Sequence, residues 1–185
     1  KTIYAMNKFA GEQYLAMYHR SFGLDYSVFR ICVPYGNLID DKLSFGTISH
    51  MVTKAAKGED IVLYGDGGQK RSLIHVEDVS EILIEASTNP ATDNGVFNVG
   101  GPDALSLREI AEEIAGLYGV RVKSVEWPPE QLAIESGDTI FDSSKIMKIV
   151  KYRYRHDFRA WVKSLVRHAR EGGHPGVSGF PLSRE

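Results

Sequence analysis

Tyr26-Ser27-Val28-Phe29-Arg30-Ile31-Cys32-Val33 is the stretch that decides the fold. Its aromatic and β-branched residues read as a buried strand. Before it, residues from about Tyr4 to Arg20 read as a helix, because Met6, Phe9, Ala10, Tyr14 and Met17 recur at helical spacing on one face. Gly23 closes the turn between them. A helix running promptly into a strand is the pattern of a parallel α/β sheet.

The same alternation continues downstream. Ser44 to Lys57 reads as a helix ended near Gly58, and Ile61-Val62-Leu63-Tyr64 as a short strand stopped by Gly65-Asp66-Gly67-Gly68. Glu77 to Ala86 carries Val79, Ile82, Leu83 and Ala86 at helical spacing, and Val96-Phe97-Asn98-Val99 is a further strand closed by Gly100-Gly101. Ser106 and Glu109 form a capping box for a helix reaching about Tyr118. Val122 to Val125 reads as a strand, and Asp142 to Ile149 and Asp157 to Arg170 as helices, the second striped by Phe158, Trp161, Val162 and Leu165. Residues 171–185 hold four glycines and two prolines and read as a loose tail. One folded unit is therefore expected over residues 1–170.

Composition narrows the function classes. The 185 residues carry 22 basic and 24 acidic side chains, a net charge of -2, which argues against a nucleic-acid surface or a polybasic membrane anchor. No apolar run approaches the roughly 20 residues that cross a bilayer. The single cysteine, Cys32, excludes an internal disulfide and fits a reducing compartment, so a cytoplasmic setting is expected. His19, His50, His75, His156, His168 and His174 show no metal-ligand spacing, and no metal is expected. The chain opens on Lys1, a few residues before its first helix, which suggests a piece of a longer protein cut upstream of its active site.

Tyr4-Ala5-Met6-Asn7-Lys8 carries the most chemistry. On a helix, a spacing of four sets the phenol and the ammonium side by side. A neighbouring cation favours the phenolate, a form able to exchange a proton with a sugar or alcohol hydroxyl. A surface pair contributing a few tenths of a kcal/mol has the same spacing, so Tyr4-x-x-x-Lys8 alone leaves both readings open.

Four landmarks in one order favour the catalytic reading. Tyr4-x-x-x-Lys8 is followed by Arg30-Ile31-Cys32-Val33-Pro34-Tyr35-Gly36, then by Tyr64-Gly65-Asp66-Gly67-Gly68-Gln69-Lys70-Arg71 running on to Val79, then by Phe97-Asn98-Val99-Gly100-Gly101 before Ser106-Leu107-Arg108-Glu109-Ile110. The series resembles the C-terminal half of nucleotide-sugar epimerases and dehydratases of the extended short-chain dehydrogenase/reductase group, from Tyr4 to about Leu165. The resemblance implies an α/β fold: the C-terminal part of a Rossmann-like doubly wound sheet plus a small α/β substrate-binding lobe. It implies that Tyr4 is the catalytic acid/base and that Lys8 holds the nicotinamide ribose. Cys32 and Val33 would line the nicotinamide pocket, and Arg71 would bind a substrate phosphate. The implied cofactor is NAD or NADP, the partner a nucleotide-diphosphate sugar, and the assembly a homodimer paired through the Tyr4 helix.

Arg71 has a physical rationale of its own, since a guanidinium fork beside a glycine turn can grip a diphosphate. It can equally be a surface arginine paired with Asp66 or Glu77. His75, Glu77 and Asp78 are set aside as an acid/base cluster, because acids in a first helical turn suit the helix dipole. Cys32 is read as a small buried apolar residue.

Other positions depart from the family pattern. Val33 stands where Asn is frequent, Asn37 where Pro is frequent and Ser72 where Asp is frequent. Glu135-Ser136-Gly137-Asp138 aligns with an Arg-Pro-Gly-Asp run whose arginine clamps the diphosphate. No Gly-x-Gly-x-x-Gly fingerprint occurs in the 185 residues, so the chain alone is expected to bind NAD poorly and to be inactive. An NAD(P)-dependent epimerase/dehydratase is the leading expectation for the full-length protein. A keto-sugar reductase, or a non-catalytic nucleotide-sugar-binding or regulatory module, is the alternative.

Overall fold

Leu73 and Ile74, neighbours in one strand, are buried in two different apolar cores. Successive side chains of a strand point to opposite faces, so this strand is the wall between the two. The computed structural model describes residues 2–36, 38–39, 42–43 and 46–170. The tail expected over residues 171–185 lies outside the described residues.

In chain order the elements are α1 (Ile3–Phe22), β1 (Ser27–Ile31), β2 (Val33–Tyr35), β3 (Leu38–Ile39), β4 (Lys42–Leu43), α2 (Thr47–Ala56), β5 (Ile61–Tyr64), β6 (Lys70–His75), α3 (Val76–Ser87), β7 (Gly95–Val99), β8 (Asp103–Ser106), α4 (Leu107–Tyr118), β9 (Val122–Val125), α5 (Pro129–Ile134), α6 (Ser144–Met147) and α7 (Phe158–Arg170). The parallel pairs are β1 with β7, β2 with β6, and β5 with β9; β8 runs antiparallel on the other edge of β6. This is the expected α/β architecture with parallel pairing.

One core gathers Tyr35, α2, β5, Leu73, α4 and α7; the other gathers Cys32, Ile74, α3, β7, Ile146 and Val150. Local chemistry sets the helix ends. The Ser106–Glu109 capping box forms as read, with Ser106 Oγ accepting from Glu109 N and Glu109 Oε2 accepting from Ser106 N. Gly23 ends α1 in the left-handed conformation, at φ 68°.

Three expectations change. The run from Tyr26 to Val33 is not one buried strand. It divides at Cys32, where β1 leaves β7 and β2 joins β6, and Arg30 and Ile31 are exposed. Strands β6 and β8, unread in the sequence, form the middle and edge of the three-stranded sheet. The apolar stripe of α1 does not enter a core: α1 has no buried residue, and Met6, Phe9, Tyr14 and Met17 are exposed. Among the described residues, no helix is long and apolar enough to cross a membrane.

Candidate functional site

Helix α1 presents Tyr4 and Lys8 one turn apart, with Lys8 Nζ 5.5 Å from the Tyr4 ring centroid. Their face of α1 continues through Gly11, Glu12 and Leu15. With Ser27 to Ile31 of β1 opposite, it lines a cavity of about 570 Å³. Arg30 fastens helix to strand: its Nε and Nη2 donate to the two carboxylate oxygens of Glu12 at 2.7 and 2.6 Å. That forked hydrogen bond holds the Glu12 carboxyl below the usual carboxylate range. Both Tyr4 and Lys8 are exposed. The pair expected from spacing is thus side by side at the rim of a cleft.

Cys32 and Val33 lie just past the end of β1. Cys32 is buried, its backbone N–H donates to Val99 O at 3.0 Å, and burial pushes its thiol up to about 11. It is a packed apolar residue rather than a thiolate nucleophile. Val33 begins β2 opposite Leu73 and packs partly against the Tyr35 core. Neither lines the Tyr4–Lys8 cavity.

Arg71 sits in β6, and its partner is neither Asp66 nor Glu77. Its Nη2 donates to Glu135 Oε1 at 3.1 Å, and its Nη1 donates to Lys70 O and Gly137 O at 3.0 and 2.6 Å. The glycine turn beside it is tied to α4 instead: Arg108 Nε donates to Asp66 O, and Arg108 N donates to Gly67 O. Arg71 is not among the residues that line the Tyr4–Lys8 cavity.

His75 caps α3, its Nδ1 accepting from Glu77 N at 3.2 Å, so it is packed and hydrogen-bonded as the helix start required. Spacing in the sequence gave no hint of its neighbour. His156 stacks on it, with ring centroids 3.9 Å apart and 17° between planes. His156 also approaches Glu77 Oε2 at 3.1 Å and Asp78 Oδ1 at 3.0 Å. His75, Glu77 and His156 bring ligand-type atoms within 4.8 Å of one another. Parallel rings direct their in-plane lone pairs side by side rather than to one point, and His75 Nδ1 is already an acceptor. The cluster is thus tied together by hydrogen bonds and ion pairs of its own, through Glu77 N to His75 and through Glu77 and Asp78 to His156.

Asp78 is the buried hub of that network. Its Oδ1 accepts from Tyr152 Oη at 2.6 Å and Arg155 N at 3.1 Å besides meeting His156. Burial pushes its carboxyl up, and these hydrogen bonds outweigh burial, leaving it below the usual range.

Residues 1–100 match the model of the NAD dependent epimerase/dehydratase family. The chain belongs to that family. Among its curated relatives, the UDP-glucose 4-epimerase of Mycolicibacterium smegmatis is 32% identical over 126 residues, covering 68% of this chain and 40% of the relative. A dTDP-4-dehydro-6-deoxy-D-allose reductase of Streptomyces bikiniensis is 28% identical over 159 residues, covering 84% of this chain and 45% of the relative. The fold superimposes on the Thermus thermophilus UDP-glucose 4-epimerase solved with NAD at a TM-score of 0.74 and 27% identity, covering 90% of this chain and 53% of that one. The UDP-glucose 4-epimerase of Thermotoga maritima, solved with UDP-glucose, gives a TM-score of 0.76 at 22% identity, covering 91% of this chain and 53% of that one. These family members have Rossmann folds, and the chain spans about half the length of the relatives and structures it matches.

Proposed function

We propose that this chain supplies the catalytic pair and the substrate-binding lobe of an NAD(P)-dependent enzyme acting on a nucleoside-diphosphate sugar. One observation carries the reading: Tyr4 and Lys8 stand side by side on the wall of the cleft between α1 and β1. In it, the Tyr4 phenolate, stabilised by the adjacent Lys8 ammonium, takes a proton from a sugar hydroxyl, and the phenol so formed later returns it. Lys8 also reaches the nicotinamide ribose, while Cys32 and Val33 stand just beyond the cavity, past the end of β1. The cofactor, when bound, supplies reversible hydride transfer at the carbon that bears this hydroxyl. Arg71 grips the diphosphate.

The donor set suits the nicotinamide end of the cofactor: an exposed phenol and ammonium beside an open cleft. The 185 residues contain no glycine-rich pyrophosphate loop, so the rest of the grip has to come from residues outside them. Epimerisation, dehydration and keto-sugar reduction share the Tyr4 step. A cytoplasmic setting suits the single, buried cysteine.

A homodimer paired through α1 belongs to the same reading, supported by the exposed stripe of Met6, Phe9, Tyr14 and Met17. The engagement of Arg71 by Glu135 favours one competing reading, a nucleotide-sugar-binding module without turnover. The protein extended to the length of its relatives separates the two. With NAD and UDP-, dTDP- or GDP-sugars it turns over one of them, and Tyr4→Phe abolishes turnover while sugar-nucleotide affinity measured by calorimetry is kept. Binding without turnover in the unaltered extended protein establishes the module instead.

A further inference from the structure

Glu135 Oε1 is met by three donors at once: Arg71 Nη2 at 3.1 Å, Ser136 N at 2.9 Å and Gly137 N at 2.9 Å. Gly137 takes a φ of 72°, and successive backbone N–H groups that face one way around such a residue make a nest for an anion. A guanidinium above a nest of amides is what a phosphate oxygen requires. Here the chain's own carboxylate fills it, with the two side chains only 15% and 21% exposed.

The surroundings of the donors are tied to β6 by bonds that do not involve the Glu135 side chain. Lys70 N donates to Asp138 Oδ1 at 2.8 Å, Thr139 N to Lys70 O at 2.9 Å and Ser72 N to Thr139 O at 3.0 Å. These bonds hold Asp138 and Thr139, next to the nest, along β6 without using the Glu135 carboxylate. Arg71 Nη1 is likewise held by Lys70 O and Gly137 O. The occupant, by contrast, sits on a side chain with three rotatable bonds.

We infer that Glu135 is a built-in competitor for a phosphate site formed by Arg71 and the amides of Ser136 and Gly137, and that a nucleoside diphosphate binds there by displacing it. This rests on the reading of Arg71 as a diphosphate ligand. Glu135 thereby sets specificity: it lowers affinity for anionic ligands as a class and leaves the nucleoside end untouched. A diphosphate that failed to expel the carboxylate would meet a like charge at contact distance.

Calorimetric titration of the chain with UDP, inorganic pyrophosphate and uridine tests this, comparing wild type with Glu135→Gln and Arg71→Ala. Glu135→Gln keeps the acceptor oxygen and removes the charge. It is expected to tighten UDP and pyrophosphate by about tenfold or more, as relief of a like-charge contact requires, and to leave uridine unchanged. Arg71→Ala is expected to weaken UDP and pyrophosphate.

Unchanged UDP affinity in Glu135→Gln with weaker binding in Arg71→Ala overturns the competition and leaves Arg71 as a phosphate ligand. Equal UDP binding by all three proteins overturns the inference and moves the diphosphate elsewhere, with the nucleotide-sugar reading intact. No UDP binding by any of them overturns both. Should Glu135→Gln fail to fold, Glu135→Asp, whose shorter arm draws the carboxylate back from the nest, takes its place with the same expected direction.

Discussion

His75 and His156 lie face to face, 3.9 Å between ring centroids, and join the start of α3 to the segment that leads into α7. Burial first, and the charge of His156 second, hold the His75 imidazole below its ordinary value; Glu77 and Asp78 oppose this less strongly. Protonation of Nδ1 also removes the acceptor that caps α3.

The unfolded chain thus binds this proton more readily than the folded one, and stability rises with pH. His75's share is complete above the unfolded value of about 6.5 and is lost as pH falls through the lower folded value. Asp78, also held low, adds a loss of the same sign in a more acidic window. Thermal melts from pH 8 to pH 5 should show a falling Tm in the wild type and a flatter profile in His75→Asn, which caps without titrating. Parallel profiles would clear His75 of the effect.

Asp78→Ala deprives Tyr152, Arg155 N and His156 of their shared acceptor inside a buried site. Donors to a charged group left unpaired cost about 1.5–3 kcal/mol. Urea unfolding should register that loss, and the Tyr152 hydroxyl, pushed up to about 12 by burial and by its bond to Asp78, should titrate lower in the variant. A stability unchanged within error would mean the hub carries no net weight.

Gly36 has a φ of 83°, and a Cβ built there falls 2.2 Å from His75 Nε2, a buried ring already held on two sides. Gly36→Ala should therefore cost more than the roughly 1–2 kcal/mol of left-handed backbone strain alone. Adding His75→Ser should recover the steric part in a double-mutant cycle, leaving the strain. Additive losses would refute the contact.

If α1 pairs two copies, Phe9→Asp should convert a dimer to a monomer in light scattering with little change in Tm, since α1 has no buried residue. A wild-type chain that is monomeric throughout the accessible concentration range counts against the paired helix.

How far the sequence spoke for itself depended on distance along the chain. The cap on α4 was legible because Ser106 and Glu109 are three residues apart and need nothing else. β6 escaped notice because Ser72, Leu73, Ile74 and His75 are all buried, which erases the two-residue alternation of a half-covered strand. The break at Cys32 had no local mark, since it reflects a change of partner from β7 to β6.

At the site, the Tyr4–Lys8 proximity followed from helical geometry alone. The resemblance pointed to position 135 as a reversal of charge but gave no partner for it. Arg71 and Glu135 meet across 64 residues, and His156 reaches His75 across the whole second half of the fold.

The wall strand β6 behaves as a ruler for the molecule. Its register sets Arg71 against Leu105 and Leu73 against Asp103, while Leu73 and Ile74 feed separate cores. A shift of one position would turn the guanidinium away from its cradle and interchange the contents of both interiors. Insertions or deletions between Gly65 and Gln69 are thus confined to those the turn can absorb before Lys70, and the anion cradle inherits its accuracy from a hydrophobic alignment.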